Sequence, residues 1–152
     1  MRKAVALVAV AATAAAVLGW AGASASPKGG HRQERSLRLV ATNSYFVDND
    51  PSGQSGGDLV GSSGELSRRG HRVGKYSSAC TLSAPADGQC QATLILRRGR
   101  IQLAGNYRLQ AVANRVAIVG GTNKFRGVRG DVTIQTLGDQ GAVQRLHLTM
   151  LR

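Results

Sequence analysis

The chain has 152 residues, enough for one domain, and carries 20 Lys and Arg against 8 Asp and Glu, a net charge of +12. Three histidines and two cysteines, scattered and without C-x-x-C spacing, argue against a zinc site, and no phosphate-cradling loop or dinucleotide fingerprint is present, so no metal or cofactor is expected. With aromatic residues at 4%, there are few rings on which nucleic-acid bases could stack.

The first segment reads as a secretory signal peptide. Arg2 and Lys3 precede an apolar run from Ala4 to Leu18, and Ala23-Ser24-Ala25 fits a small-x-small cleavage site. The run is too short and wrongly flanked for a membrane span. Cleavage after Ala25 would leave a secreted chain with 18 cations against 8 acids, near +10, and would remove the sole Trp, Trp20. Residues 26–35, "SPKGGHRQER", combine Pro, Gly and charge with no apolar period, and read as a flexible basic tail.

From Ser36 the pattern changes to short alternating runs separated by turn signals. "SLRLVATNSYFV" sets Leu37, Leu39 and Ala41 against Arg38, Val40 and Thr42. "DNDPSGQSGG" is a loop. "DLVGSSGEL" is a short strand broken by glycines, and Arg68 to His71 form a turn. "RVGKYSSACTL" is a strand with Val73 and Lys75 on opposite faces. Cys80 and Cys90 bracket the loop "CTLSAPADGQC"; an even count in an exported protein suggests a disulfide, with a free reactive thiol at Cys80 as the alternative. "QCQATLILR" places Cys90, Ala92, Leu94 and Leu96 on one side. "RGR" turns into "IQLAGNYRLQAV". "NRVAIVGG" and "GDVTIQTLG" flank a basic, glycine-punctuated turn. "VQRLHLTML" closes the chain with Leu146, Leu148 and Met150 on one face.

About eight strands with short connections and no amphipathic helix point to an all-β fold over residues 36–152. A single open sheet could not hide its edges, so closure into a barrel is the better solution. Eight strands leave an interior that side chains fill or that holds one small ligand. In the basic turn, Gly120 and Gly121 are expected to bend the chain sharply or take positive φ, Asn123 to tolerate positive φ, and Phe125 to pack on the barrel end.

The stretch "VAIVGGTNKFRGVRGDVTIQT" closely resembles the dirigent-protein motif, in which a strand ending in Val-Gly-Gly-Thr-Gly leads through Phe-Arg to Ala-Arg-Gly, and is similar to the motif of allene oxide cyclases in the same superfamily. "GDLV", Gly57 to Val60, resembles the cyclase's early Gly-Asp-Leu; "HRVGKYSSAC" and "GRIQLAGNY", Gly99 to Tyr107, follow in the family's order. The resemblance implies an eight-stranded antiparallel β-barrel with a small central cavity, commonly a trimer or dimer. It implies an apolar or phenolic small-molecule ligand whose cyclisation or coupling is steered. From the cyclase side, Asn43, Cys80 and Tyr107 match polar positions. The cyclase Glu falls near Ala41 and its second Asn at Gly64, so authentic allene oxide cyclase activity does not carry over. From the dirigent side, Arg129 matches the Arg of the Ala-Arg-Gly turn, and Asp48 and Asp50 beside Pro51 match an acidic pair. The candidate catalytic residues are therefore Arg129, Asp48, Asp50 and Tyr107, with Asn43, Tyr107 and Arg129 as ligand-binding candidates. A carboxylate near an arginine in a dry cavity could act as a general acid or base. The plainer readings are a surface-turn Arg129, or one paired with Asp131, and ordinary loop aspartates.

Three further patterns carry less. Gly53-Gln54-Ser55-Gly56-Gly57 spells G-x-S-x-G, but in a glycine-rich loop without the strand and helix of a nucleophile elbow. Arg129-Gly130-Asp131 spells an adhesion tripeptide that recurs by chance. His71 and His147 read as exposed or satisfied. The positive charge suits an anionic cell-envelope polymer better than nucleic acid, which an exported protein does not meet. The competing reading is thus a non-catalytic secreted barrel that binds an anionic surface or a partner.

Overall fold

A computed structural model describes residues 31–49, 53–137 and 142–152. The signal-peptide reading (1–25), the first half of the basic tail (26–30) and the candidate Asp50 lie outside the described residues. Eight strands run in chain order: β1 (Gln33–Val47), β2 (Leu59–Arg68), β3 (His71–Ala84), β4 (Asp87–Leu96), β5 (Gly99–Arg108), β6 (Ala113–Gly121), β7 (Arg129–Leu137) and β8 (Val143–Leu151). Each pairs antiparallel with the next, and β8 returns to β1, closing the barrel. No edge strand remains to be protected. Among the described residues, no helix is long and apolar enough to cross a membrane.

β1 begins three residues earlier than the sequence pattern suggested. Gln33 to Arg35, assigned to the tail, pair with Met150 to Leu148 of β8. β2 is a continuous strand of ten residues rather than a broken one. Its glycines serve close approach: a Cβ on Gly64 would lie 2.0 Å from the Val40 carbonyl oxygen and 2.9 Å from the Tyr76 ring. Strict alternation would put Val73 and Lys75 on the same face. A bulge in β3 opposite Leu66 and Ser67 inserts Val73, which packs on the core while Lys75 stays exposed.

The two ends of the barrel differ. Between β6 and β7 lies a single 3-10 turn, Asn123–Phe125, and Phe125 and Val128 of this connection are buried in the same apolar core as Leu148 and Met150. This end is closed by apolar packing, as expected for Phe125. Asn123 takes φ of 51° there. Gly120 and Gly121 do not take positive φ; the unusual conformations fall at Asn123, Gly127 and Gly130 instead. Gly121 is needed for proximity, since a Cβ would lie 2.5 Å from the Phe125 carbonyl oxygen and 2.8 Å from that of Arg100.

At the opposite end, the mouth, lie the β1–β2, β3–β4, β5–β6 and β7–β8 connections. The β5–β6 ladder pairs only Ile101 to Ala104 with Gly121 to Ala117, so the mouth-side part of this seam lacks a regular ladder. The Asn114 side chain bridges it: Oδ1 accepts from the Arg108 N–H at 2.8 Å and Nδ2 donates to the Arg108 carbonyl at 3.0 Å. Asn114 is buried, and these bonds satisfy its amide.

Candidate functional site

The inward-facing residues fall into two halves. Toward the closed end, Leu66, Ile101, Phe125, Val128, Val132, Leu148 and Met150 fill the interior. Toward the mouth, inward positions hold Ala41, Val60, Ser62, Ser78 and Ala92, whose small side chains cannot meet across the barrel. A cavity of about 440 Å³ results. Leu39, Leu94, Leu103 and Leu146 line it from the core side, and Leu109 and Ala142 line it from the mouth connections.

The Cys80–Cys90 disulfide lines this cavity. The two residues face each other directly across β3 and β4, so the bridge staples one wall. The free-thiol alternative at Cys80 is thereby excluded.

Two tyrosines supply the main polar features. The Tyr107 hydroxyl oxygen accepts from Gln144 Nε2 at 3.0 Å, with Asn114 and Thr136 as further polar neighbours. Burial pushes its pKa above the ordinary tyrosine value, against the opposing effect of those partners. Tyr76 Oη donates to Ser62 Oγ at 3.0 Å, and Ser62 and Ser78 hydroxyls lie 2.9 Å apart. Burial raises the Tyr76 pKa as well, with a smaller contribution from Tyr107. Both phenols therefore stay protonated at neutral pH and can donate a hydrogen bond. No Asp, Glu, Lys, Arg or His is among the described residues that line the cavity.

Of the sequence candidates, Tyr107 lies in the cavity and Asn43 lines its mouth, where its Nδ2 is 3.5 Å from Thr42 Oγ1. Arg129 does not join them. It starts β7 at the closed end and is exposed, opposite Leu151. Asp48 lies at the mouth, exposed, and its Oδ2 accepts from the Gly53 N–H at 3.0 Å. The barrel thus holds Asp48 and Arg129 at opposite ends rather than bringing them together. Asp131 pairs with Arg115, at 2.6 Å, and not with Arg129. Ser55, in the G-x-S-x-G pattern, donates its backbone N–H and its hydroxyl to Asp58. His71 and His147 are exposed.

Sequence reasoning missed Tyr76, Ser62, Ser78 and Gln144. A usable signal was present: Tyr76 and Ser78 share one period-2 face of β3 with Cys80, which the family resemblance had matched to a polar position.

The chain is thus a closed antiparallel barrel of eight strands with a half-filled interior and a phenol-bearing cavity. No protein-family model matches the chain, and no curated protein matches it. Among solved structures, it is similar to pyocyanin demethylase, with a TM-score of 0.71 and 22% identity over 78% of this chain and 99% of that one. It is also similar to the pterocarpan synthase dirigent protein PsPTS1, at 0.64 and 17% over 82% and 97%. The Diels-Alderase AbmU from Streptomyces koyangensis follows at 0.63 and 15%, over 81% and 70%. The fold is therefore that of dirigent proteins and cyclase-type barrels, as the resemblance of the Val116 to Thr136 stretch implied. The three names describe different chemistries, so the fold alone does not select a reaction.

Proposed function

We propose that the protein binds a neutral, largely apolar small molecule in its cavity and steers the cyclisation or coupling of that molecule. The observation that carries this reading is the Tyr107 hydroxyl, half-buried, held by Gln144 and kept protonated in a pocket otherwise lined by apolar and small polar groups. A phenol in such a place donates a hydrogen bond to a carbonyl, quinone or phenol oxygen and stabilises negative charge that develops there. Apolar walls restrict the folded shapes available to a flexible reactant, which is how a barrel can favour one ring closure over others. Anionic ligands are disfavoured because the pocket supplies no cation to offset their desolvation.

Arg129 and Asp48 play no part at the reacting centre in this reading. Asn43 guards the mouth, and the disulfide keeps the β3–β4 wall rigid. The bridge also agrees with an exported protein, the destination suggested by the leader sequence.

Nile red, a neutral planar dye with one carbonyl acceptor, tests the proposal. The purified protein is expected to bind it with one-to-one stoichiometry and a blue-shifted emission. Tyr107→Phe should weaken binding about three- to tenfold, the worth of one hydrogen bond. A carboxylated dye of similar size binding equally well would overturn the reading, as would an unchanged affinity in Tyr107→Phe. Phenols and quinones that displace the dye then become the substrates to assay for turnover.

A further inference from the structure

The connections at the two ends differ sharply in charge. At the mouth, the described residues of the four connections include no Lys or Arg, and they carry Asp48 and Asp58. At the closed end, the three connections carry Arg69, Arg97, Arg98, Lys124 and Arg126 and no acid. Arg35, Arg68, Arg129 and Arg152 adjoin them on the strand ends and the C-terminus. No Asp or Glu among the described residues pairs with any of these nine. The ion pairs present use Arg32 with Glu34, Arg72 with Glu65, Arg108 with Asp87 and Arg115 with Asp131.

The cations continue up one flank. Arg38 of β1 and Arg145 of β8 are direct register partners, both exposed. Like charges so placed, with Cβ atoms about 5 Å apart, destabilise a sheet unless something neutralises them. They border a groove of about 750 Å³ that runs from the Arg68–Arg69 turn along β1 and β8. Among the described residues, the one acid on its wall is Glu34, which is engaged by Arg32 at 2.8 Å. The Arg35 and Arg152 guanidinium carbons lie 5.7 and 6.0 Å from the centroid of the Phe125 ring. Burial first, and then repulsion from Arg68, Arg152 and Arg98, lower the Arg35 pKa.

We infer that the closed end and the β1–β8 groove form a binding site for a linear phosphodiester polymer of the polyol-phosphate kind, leaving the cavity mouth directed away from it. A groove admits a chain but not a bilayer. The aromatic ring at this end, Phe125, is buried, so no platform exists for stacking nucleobases. The five Lys or Arg residues that border the groove, Arg35, Arg38, Arg68, Arg69 and Arg145, are all arginines, whose guanidinium forks suit oxyanions. A tetrahedral phosphate can accept from several sides at once. Arg38 and Arg145 reach it from two strands and Arg35 and Arg68 from one end, whereas a planar carboxylate is satisfied by a single fork.

The test uses inorganic polyphosphate as probe, with polygalacturonate and single-stranded DNA of matched charge as comparators, titrated on the purified protein at several salt concentrations. Polyphosphate is expected to bind most tightly, with log affinity falling linearly in log salt. Arg38→Ala/Arg145→Ala and Arg97→Ala/Arg98→Ala should each weaken binding about tenfold, and each lost arginine should flatten the slope by about 0.7. The control Arg108→Ala/Arg115→Ala removes the same charge elsewhere and should change affinity less than about twofold. Retained Nile red binding in every variant reports an intact barrel. Equal losses in the control would show an effect of net charge and overturn the site. Tighter binding of DNA, or equal binding of polygalacturonate, would overturn the assignment of its occupant, and no binding of polyphosphate would overturn it outright.

Discussion

Tyr76 and Tyr107 link the chemistry of the cavity to the stability of the barrel. Burial raises both phenol pKa values, so the folded protein holds these protons more tightly than the unfolded chain does. That stabilisation is fully present below the ordinary tyrosine value of about 10 and is lost as pH rises from there through the folded-state values. Urea midpoints are therefore expected to fall steeply as pH rises above about 10, and Tyr76→Phe/Tyr107→Phe should fall less steeply over the same range. Parallel declines in the two proteins would mean that the phenols are not the groups responsible. The same residues show what a motif can and cannot transmit. Tyr107 was legible because its strand matched a family pattern. Tyr76 was not, because an alternating apolar pattern marks which face points inward but not which inward residue meets a hydroxyl partner across the sheet. Arg129 was misleading for a related reason: the turn motif fixes its place in the chain, while the direction of β7 puts that place at the closed end.

Among the elements, the long β1–β2 connection shows how the mouth is shaped. Asp58 is fully buried, and its carboxylate accepts from the Asn49 N–H at 2.9 Å and the Ser55 N–H at 2.6 Å. Those two backbone bonds hold its pKa below the ordinary aspartate value. Its backbone carbonyl accepts from Leu82, and Gly57 donates back to Leu82, so the loop is tied to β3. Asp58→Asn replaces one acceptor oxygen by an amide group that faces donors. Amide exchange at Asn49 and Ser55 is expected to speed up in this variant, with little change at Leu94 in the core. In the unaltered protein the protection should persist above about pH 4 and fade as pH falls through the depressed Asp58 value. Unchanged exchange in Asp58→Asn would remove Asp58 from this role. The Gly-Asp-Leu sequence marked the residue, but its function as a loop anchor depends on backbone donors nine and three positions upstream that no periodicity reveals. Bulges had the same effect on register. The alternation through Leu37, Leu39 and Ala41 was correct, and an irregularity between Ala41 and Asn43 then shifts the pairing of everything beyond it.

At the scale of the whole molecule, one continuous sheet serves two purposes at its two ends. Strand count, antiparallel order and closure were legible because eight apolar runs with short turns have few ways to hide their edges. The division of the interior was not, since inward Ala and Ser read as weak core until the barrel diameter is known. Packing at the closed end supplies stability, and the unfilled space near the mouth is the binding site proposed above. Phe125→Ala separates the two. Phe125 is buried among the side chains that plug the closed end and is not among the residues lining the cavity. Its truncation should cost about 3–5 kcal/mol in urea unfolding, the usual range for a buried Phe. Nile red affinity, measured at low temperature where the variant remains folded, is expected to change by less than about twofold, because a binding energy set by Tyr107 and the cavity walls is untouched. The converse holds for Tyr107→Phe, which weakens binding while leaving the plug intact. If Phe125→Ala instead abolished binding in a folded protein, the two halves would be coupled, and the cavity would have to be treated as part of the core that closes it.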